Sequence, residues 1–133
     1  MSLPAPSVNA ANATVRFAIL HRPFAATDLL PTNSTTRAGV NIVPNSQRLA
    51  GTDHGTTFWI AETKAGGACL VAANPNPTSA NNFIVCSDEH LAKGALATGM
   101  FDSENHGYSL ATDNYSAAGV NPARKIATNV WAE

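Results

Sequence analysis

Charge is scarce in this chain. Only 13% of its 133 residues are Asp, Glu, Lys or Arg, against roughly 25% in an ordinary soluble domain. The few charges nearly cancel, eight basic residues against nine acidic ones, for a net charge of −1. No basic surplus is present to neutralise phosphates, so nucleic acid is disfavoured as a partner. No basic run addresses an anionic membrane surface. Long apolar runs are missing too. The stretch 68–73 is among the longest, far below the roughly 20 residues that cross a bilayer, so no membrane-spanning segment is expected. Residues 1–3 open without a charged or apolar leader region, and the expectation is that any leader has been removed.

Catalytic signatures are also missing. There is no G-x-S-x-G turn to expose a nucleophilic serine. No H-E-x-x-H pair is present to hold zinc, and no glycine-rich loop to cradle phosphate. The two cysteines lack the C-x-x-C spacing of redox and zinc sites. No catalytic, cofactor-binding or metal-ligating set, and no cofactor, is therefore assigned.

What the chain does have is Asn, Thr and Ser, which suit turns and the solvent faces of strands better than long helices. At 133 residues it makes one domain. Residues 2–14 carry no charge and are built from Ala, Pro, Ser and Asn. Residues 1–14 read as a flexible linker, and 15–133 as a single β-rich domain.

Val15, Phe17 and Ile19 alternate, which predicts a short strand ended by Pro23. Residues 24–30 fit one or two helical turns. Asn45 or Ser46 can cap a short helix over 47–50, closed by Gly51. From Thr56 the pattern turns to strands: TTFWIAET, a turn at 64–67, ACLVAAN, a loop over 75–80, then NNFIVCS. Residues 88–94 fit a helical turn. Residues 95–101, 107–111 and 125–131 are three further strands. The fold class is α+β, mostly β: a single small domain with an antiparallel sheet of about five or six strands and one or two short helices. The core candidates are Phe17, Ile19, Leu30, Phe58, Ile60, Leu70, Val71, Phe83, Val85, Leu96, Val130 and Trp131.

Pairing the strands around the 75–80 loop sets Ala72 opposite Phe83, Val71 opposite Ile84 and Leu70 opposite Val85. On that register Cys69 faces Cys86, within the reach of a disulfide. Two buried free thiols remain the other reading of the pair. A disulfide implies an oxidising compartment.

Four histidines, His21, His54, His90 and His106, are too far apart in sequence for a local metal motif. Asp53, Asp88, Glu89 and Glu104 lie near three of them, but neighbours on a strand face opposite ways. His54, His90, His106, Tyr108 and Tyr115 are kept as surface candidates. Trp59, Trp131, Phe58, Phe83 and Tyr115 are the residues that can line a carbohydrate- or peptide-binding surface, although aromatics are more often core. Three N-x-[ST] triplets begin at Asn12, Asn33 and Asn114.

The string Phe17-Ala18-Ile19-Leu20-His21-Arg22-Pro23, followed by Asp28-Leu29-Leu30-Pro31, resembles the start of a group of uncharacterised exported actinobacterial domains. Ser46-Gln47-Arg48-Leu49, then Gly67-Ala68-Cys69-Leu70, a second Cys and Asn129-Val130-Trp131 continue the resemblance from about residue 15 to 132. Ala118-Gly119-Val120-Asn121-Pro122 stands where that group has a Pro-Asp-Gly-Val turn. The resemblance implies export, behind a signal or membrane anchor, and a non-catalytic role.

The expected function is thus an extracytoplasmic, secreted or surface-anchored module that binds an unknown protein or cell-envelope partner. Two alternatives stand beside it. One is a small secreted hydrolase or metal-dependent enzyme drawing on His54, His90, His106, Asp88 and Glu104. The other is a structural spacer domain of an anchored protein.

Overall fold

The computed structural model describes residues 11–30, 42–76, 78, 82–101, 107–115 and 124–132. Two four-stranded antiparallel sheets form its framework. The first has the order β1 (Arg48–Asp53), β2 (Thr56–Glu62), β3 (Ala68–Ala73), β4 (Phe83–Ser87). The second runs β5 (Leu96–Phe101), β6 (Gly107–Ala111), β8 (Val130–Ala132), β7 (Arg124–Ala127). The mostly-β, single-domain expectation holds. The strands divide between two sheets, however, rather than forming one of five or six.

Turn chemistry explains the hairpins. Between β1 and β2 only His54 and Gly55 intervene, with φ of 49° and 82°, the two positive values a type I′ turn requires. Between β2 and β3, Thr63 and Gly67 bracket a three-residue loop whose last member, Gly66, has φ 93°. That is the glycine-bulge form of a longer hairpin turn.

Side-chain alternation then builds the core. Phe58, Ile60, Leu70, Ala72 and Phe83 point inward from the first sheet and meet Tyr108, Leu110, Val130 and Ala132 of the second. Tyr108 lies 5.0 Å from Phe58 and 6.2 Å from Phe83, ring centre to ring centre. The sheets also approach at their margins, β1 beside β7 and β4 beside β5.

A second cluster lies on the outer face of the first sheet: Ile42, Trp59, Ala61, Cys69 and Val71, with Leu30, Leu49, Ala73 and Ile84 packed on it. Both faces of this sheet are therefore apolar. That is why β2 and β3 read as near-continuous hydrophobic runs instead of alternating ones.

Several local expectations differ. Residues 15–19 are not a strand. Helix α1 (Ala13–Arg16) and a 3-10 turn (Ala18–His21) occupy the segment. Ala13 and Phe17 are both buried while Val15 is exposed, a spacing of four that belongs to a helix. Residues 47–50 are not a helix either. Arg48 and Leu49 pair with Ile60 and Trp59 in β1, and sheet pairing outweighs a one-turn helix with its costly nucleus. Residues 88–94 carry no helical turn; Leu91 instead bridges Ala11 through hydrogen bonds of 2.8 and 2.7 Å. With Ala13 fully buried, residues 11–14 are seated in the domain and are not linker. The stretch 125–131 splits into two strands around Asn129, whose φ is 62°. Between Pro23 and Pro31 only a 3-10 turn, Ala26–Asp28, forms.

That short turn is nonetheless held firmly. Asp28 is fully buried. It accepts hydrogen bonds from the Leu49 N–H at 2.7 Å, the Ala25 N–H at 2.8 Å and the Arg22 guanidinium at 2.5 Å. Burial by itself would raise its pKa. The Leu49 and Ala25 N–H groups and the Arg22 charge outweigh burial, and the carboxyl sits below its ordinary value.

Candidate functional site

The second sheet turns one face to the core and the other outward. Since Tyr108, Leu110, Val130 and Ala132 point inward, Ser109 and Trp131 between them point out. The register then draws one row across all four strands. Gly99 opposes Ser109, Ser109 opposes Trp131, and Trp131 opposes Lys125. At a strand spacing of about 4.8 Å the row is about 14 Å long. Gly99 and Lys125 are exposed, and Ser109 and Trp131 partly so.

Tyr115 fixes the centre of this row. It follows the turn at Asp113 and Asn114, where Asn114 has φ 67°. Its ring meets that of Trp131 at 5.3 Å with an interplanar angle of 79°, an edge-to-face contact that orients the indole. On the β6 side, Ser109 and, one strand further, Gly99 are too small to cover it.

The turn carrying Tyr115 is itself well anchored. Asp113 accepts from the Ala18 N–H at 2.8 Å and from Asn129 Nδ2 at 2.9 Å, and its own N–H donates to the Arg16 carbonyl at 2.9 Å. Thr112 Oγ1 accepts from the Ala95 N–H and donates to the Ala92 carbonyl, both at 2.8 Å. These bonds tie the 112–115 turn to the N-terminal segment, the β8 turn and the start of β5. An aromatic platform on such a base is set in place before any ligand arrives.

The same face carries Leu96, opposite Ala111 and 55% exposed. A register shift between Leu96 and Thr98 turns Leu96 outward while Ala97 packs on the core, which corrects its placement as a core residue. Trp131 is likewise not core. Its two neighbours Val130 and Ala132 are, and the period of two puts the indole on the opposite side.

No protein-family model, curated protein or solved structure matches the chain.

The remaining candidates scatter. His54 is exposed in the β1–β2 turn, its Nδ1 2.9 Å from Asp53 Oδ2. His90 is exposed beside Gly66 in the β2–β3 turn, where a Cβ on Gly66 would lie 3.4 Å from His90 Nε2. The two histidines thus stand at opposite ends of β2, a seven-residue strand about 20 Å long, and do not meet. Tyr108, expected at the surface, is buried in the aromatic core. His106 and Glu104, the Asn33 triplet and residues 118–122 lie outside the described residues. Among the described residues no group of three or more His, Cys, Asp or Glu is placed to hold a metal ion. None of their helices is long and apolar enough to cross a membrane.

Cys69 and Cys86 are opposed in the expected register, with Ala72–Phe83, Val71–Ile84 and Leu70–Val85 beside them. Their Cα atoms are 4.0 Å apart and their sulfurs are at disulfide distance, 2.01 Å. The bridge lies on the outer face of the first sheet, away from the Trp131 row.

The row offers non-covalent chemistry. It has one oriented indole, one hydroxyl, one ammonium and an open lane over Gly99. The sequence carried a signal for Trp131 and Tyr115 as aromatics. It gave none for Gly99, Ser109 or Lys125, which are adjacent only because β5, β6, β8 and β7 pair in that order.

Proposed function

We propose that this domain is an extracytoplasmic, non-catalytic binding module, and that the outer face of its second sheet holds the ligand. The observation that carries the reading is Trp131, kept partly exposed on a solvent face and locked edge-to-face by Tyr115. A large aromatic oriented at the surface of a rigid sheet is an anchor of the kind that dominates binding energies. The cysteine pair at disulfide distance favours an oxidising compartment, and the resemblance of the 17–31 segment to exported domains agrees. The partner is then a component of the cell envelope.

The test is co-sedimentation of the purified, disulfide-intact domain with a protein-free envelope preparation. The wild-type domain is expected in the pellet and the Trp131→Ala variant in the supernatant, with unchanged circular dichroism. Pelleting of both alike would remove the Trp131 face from the reading. Pelleting of neither leaves the spacer role.

A further inference from the structure

Resting on that reading of the face, we propose that the ligand is a saccharide bearing a carboxylate, laid across the Gly99–Ser109–Trp131–Lys125 row.

Three features select this chemistry. The apolar element of the row is a single indole plane, flanked on one side by a hydroxyl and a glycine. A flat apolar patch bordered by hydrogen-bonding groups matches a pyranose ring, which has a C–H face and a hydroxyl rim. A protein partner needs a broad, desolvated apolar centre to be held stably, and the small residues of the row do not supply one.

The second feature is the lane. Gly99 has no side chain, and a Cβ there would stand 3.0 Å from the Tyr108 carbonyl oxygen and 3.3 Å from Ser109 Oγ. The position is tight for any larger residue, and Gly99 is exposed, so no side chain covers the backbone where the row leaves the indole. A chain of sugar units extends along it in the direction perpendicular to the strands, with Ser109 Oγ beneath.

The third is charge. Lys125 is exposed directly across from Trp131, and among the described residues no carboxylate pairs with it. On a chain with a net charge of −1 this ammonium is a local cationic point. The Lys125 backbone lies one strand spacing, about 4.8 Å, from that of Trp131. A uronic-acid carboxylate on a ring stacked over Trp131 reaches the ammonium. The charge adds selectivity more than strength, because an exposed pair contributes little and is screened by salt.

The experiment is a fluorescence titration with oligogalacturonate, and with the same oligosaccharide after reduction of its carboxylates to alcohols. A Trp59→Phe background leaves Trp131 as the reporter. Saturable binding of oligogalacturonate is expected, weakened about tenfold or more by Tyr115→Ala. Lys125→Gln is expected to weaken it about two- to fivefold, and so is raised salt. The reduced oligosaccharide should bind the parent as weakly as oligogalacturonate binds the Lys125→Gln variant. Leu96→Ser should leave binding unchanged, since a sugar on the row does not reach it.

Equal affinity for the two oligosaccharides overturns the carboxylate. Binding of neither, while the envelope preparation still sediments the domain through Trp131, overturns the saccharide and leaves the binding module standing. Loss of envelope binding in Leu96→Ser, with no saccharide bound, points to a broader partner surface and also overturns it. Should Trp59→Phe fail to fold, calorimetric titration of the unaltered domain gives the same comparison.

Discussion

Cys69 and Cys86 face each other across β3 and β4, yet Cys69 is wholly buried among Trp59, Ala61 and Val71 while Cys86 is exposed on the edge strand. The two sulfurs of one bridge therefore differ in what can reach them. In Cys69→Ala the remaining Cys86 thiol is expected to react readily with a thiol reagent in the folded protein. In Cys86→Ala the remaining Cys69 thiol should stay unlabelled until denaturant is added. Alkylation followed by mass measurement checks both. Replacing the pair is expected to lower stability by about 3 kcal/mol in the chain-entropy account, read from the urea midpoint.

Asp28 gives a pH dependence of definite sign. Its folded pKa lies below the unfolded value because the Leu49 and Ala25 N–H groups and Arg22 outweigh its burial. A depressed carboxylate contributes stability that is complete above the unfolded pKa, about 3.9. That contribution is lost as pH falls toward the folded value. The wild-type protein should thus lose stability below about pH 4 more steeply than Asp28→Asn. At neutral pH Asp28→Ala is expected to cost about 3 kcal/mol, mostly from the two stranded backbone donors. Arg22, 45% exposed, adds little through its charge. Urea titrations at pH 3 to 7 check the slope.

Gly67 sits where β3 starts against the end of β4. A Cβ there would lie 1.7 Å from the Ser87 carbonyl oxygen, a backbone atom that cannot swing away. Gly67→Ala is expected to destabilise the domain by about 3 kcal/mol, with the loss visible in thermal unfolding.

Tyr108 and Tyr115 separate stability from binding. Tyr108 is enclosed by Phe58 and Phe83, and Tyr108→Ala should cost about 3 kcal/mol or more. Tyr115 touches Trp131 on the outside, and Tyr115→Ala should cost about 1 kcal/mol while envelope binding falls. A paired urea and sedimentation measurement distinguishes the two.

His54 is expected to matter to the turn and not to the ligand. With φ 49° it occupies a region that Asn tolerates and β-branched residues resist. His54→Asn should keep full stability, and His54→Val should lose about 1–2 kcal/mol. Neither should change sedimentation with the envelope preparation.

The strand content was legible in the sequence wherever a short-range rule was decisive. Residues 56–62 and 68–73, the turn at 64–67 and the whole β3–β4 register follow from apolar runs bounded by turn residues. The cysteine pairing came with that register. Local rules failed where a long-range partner took over. Arg48 and Leu49 were claimed by β2, Leu91 by Ala11, and Ala13 with Phe17 by the space under the two sheets.

A small, charge-poor, mostly β domain with one cysteine pair across a hairpin can be read from the residues alone. These are properties of composition and of neighbours within a few residues, and they need no knowledge of where distant strands go. That there are two sheets, that Tyr108 is inside and Trp131 outside, and that Gly99, Ser109, Trp131 and Lys125 stand in line emerges only from the folded arrangement of the strands. Those facts depend on the order β5-β6-β8-β7 and on register shifts in two of its pairings. A shift of one residue moves a side chain from core to solvent, and no local pattern in the chain specifies it.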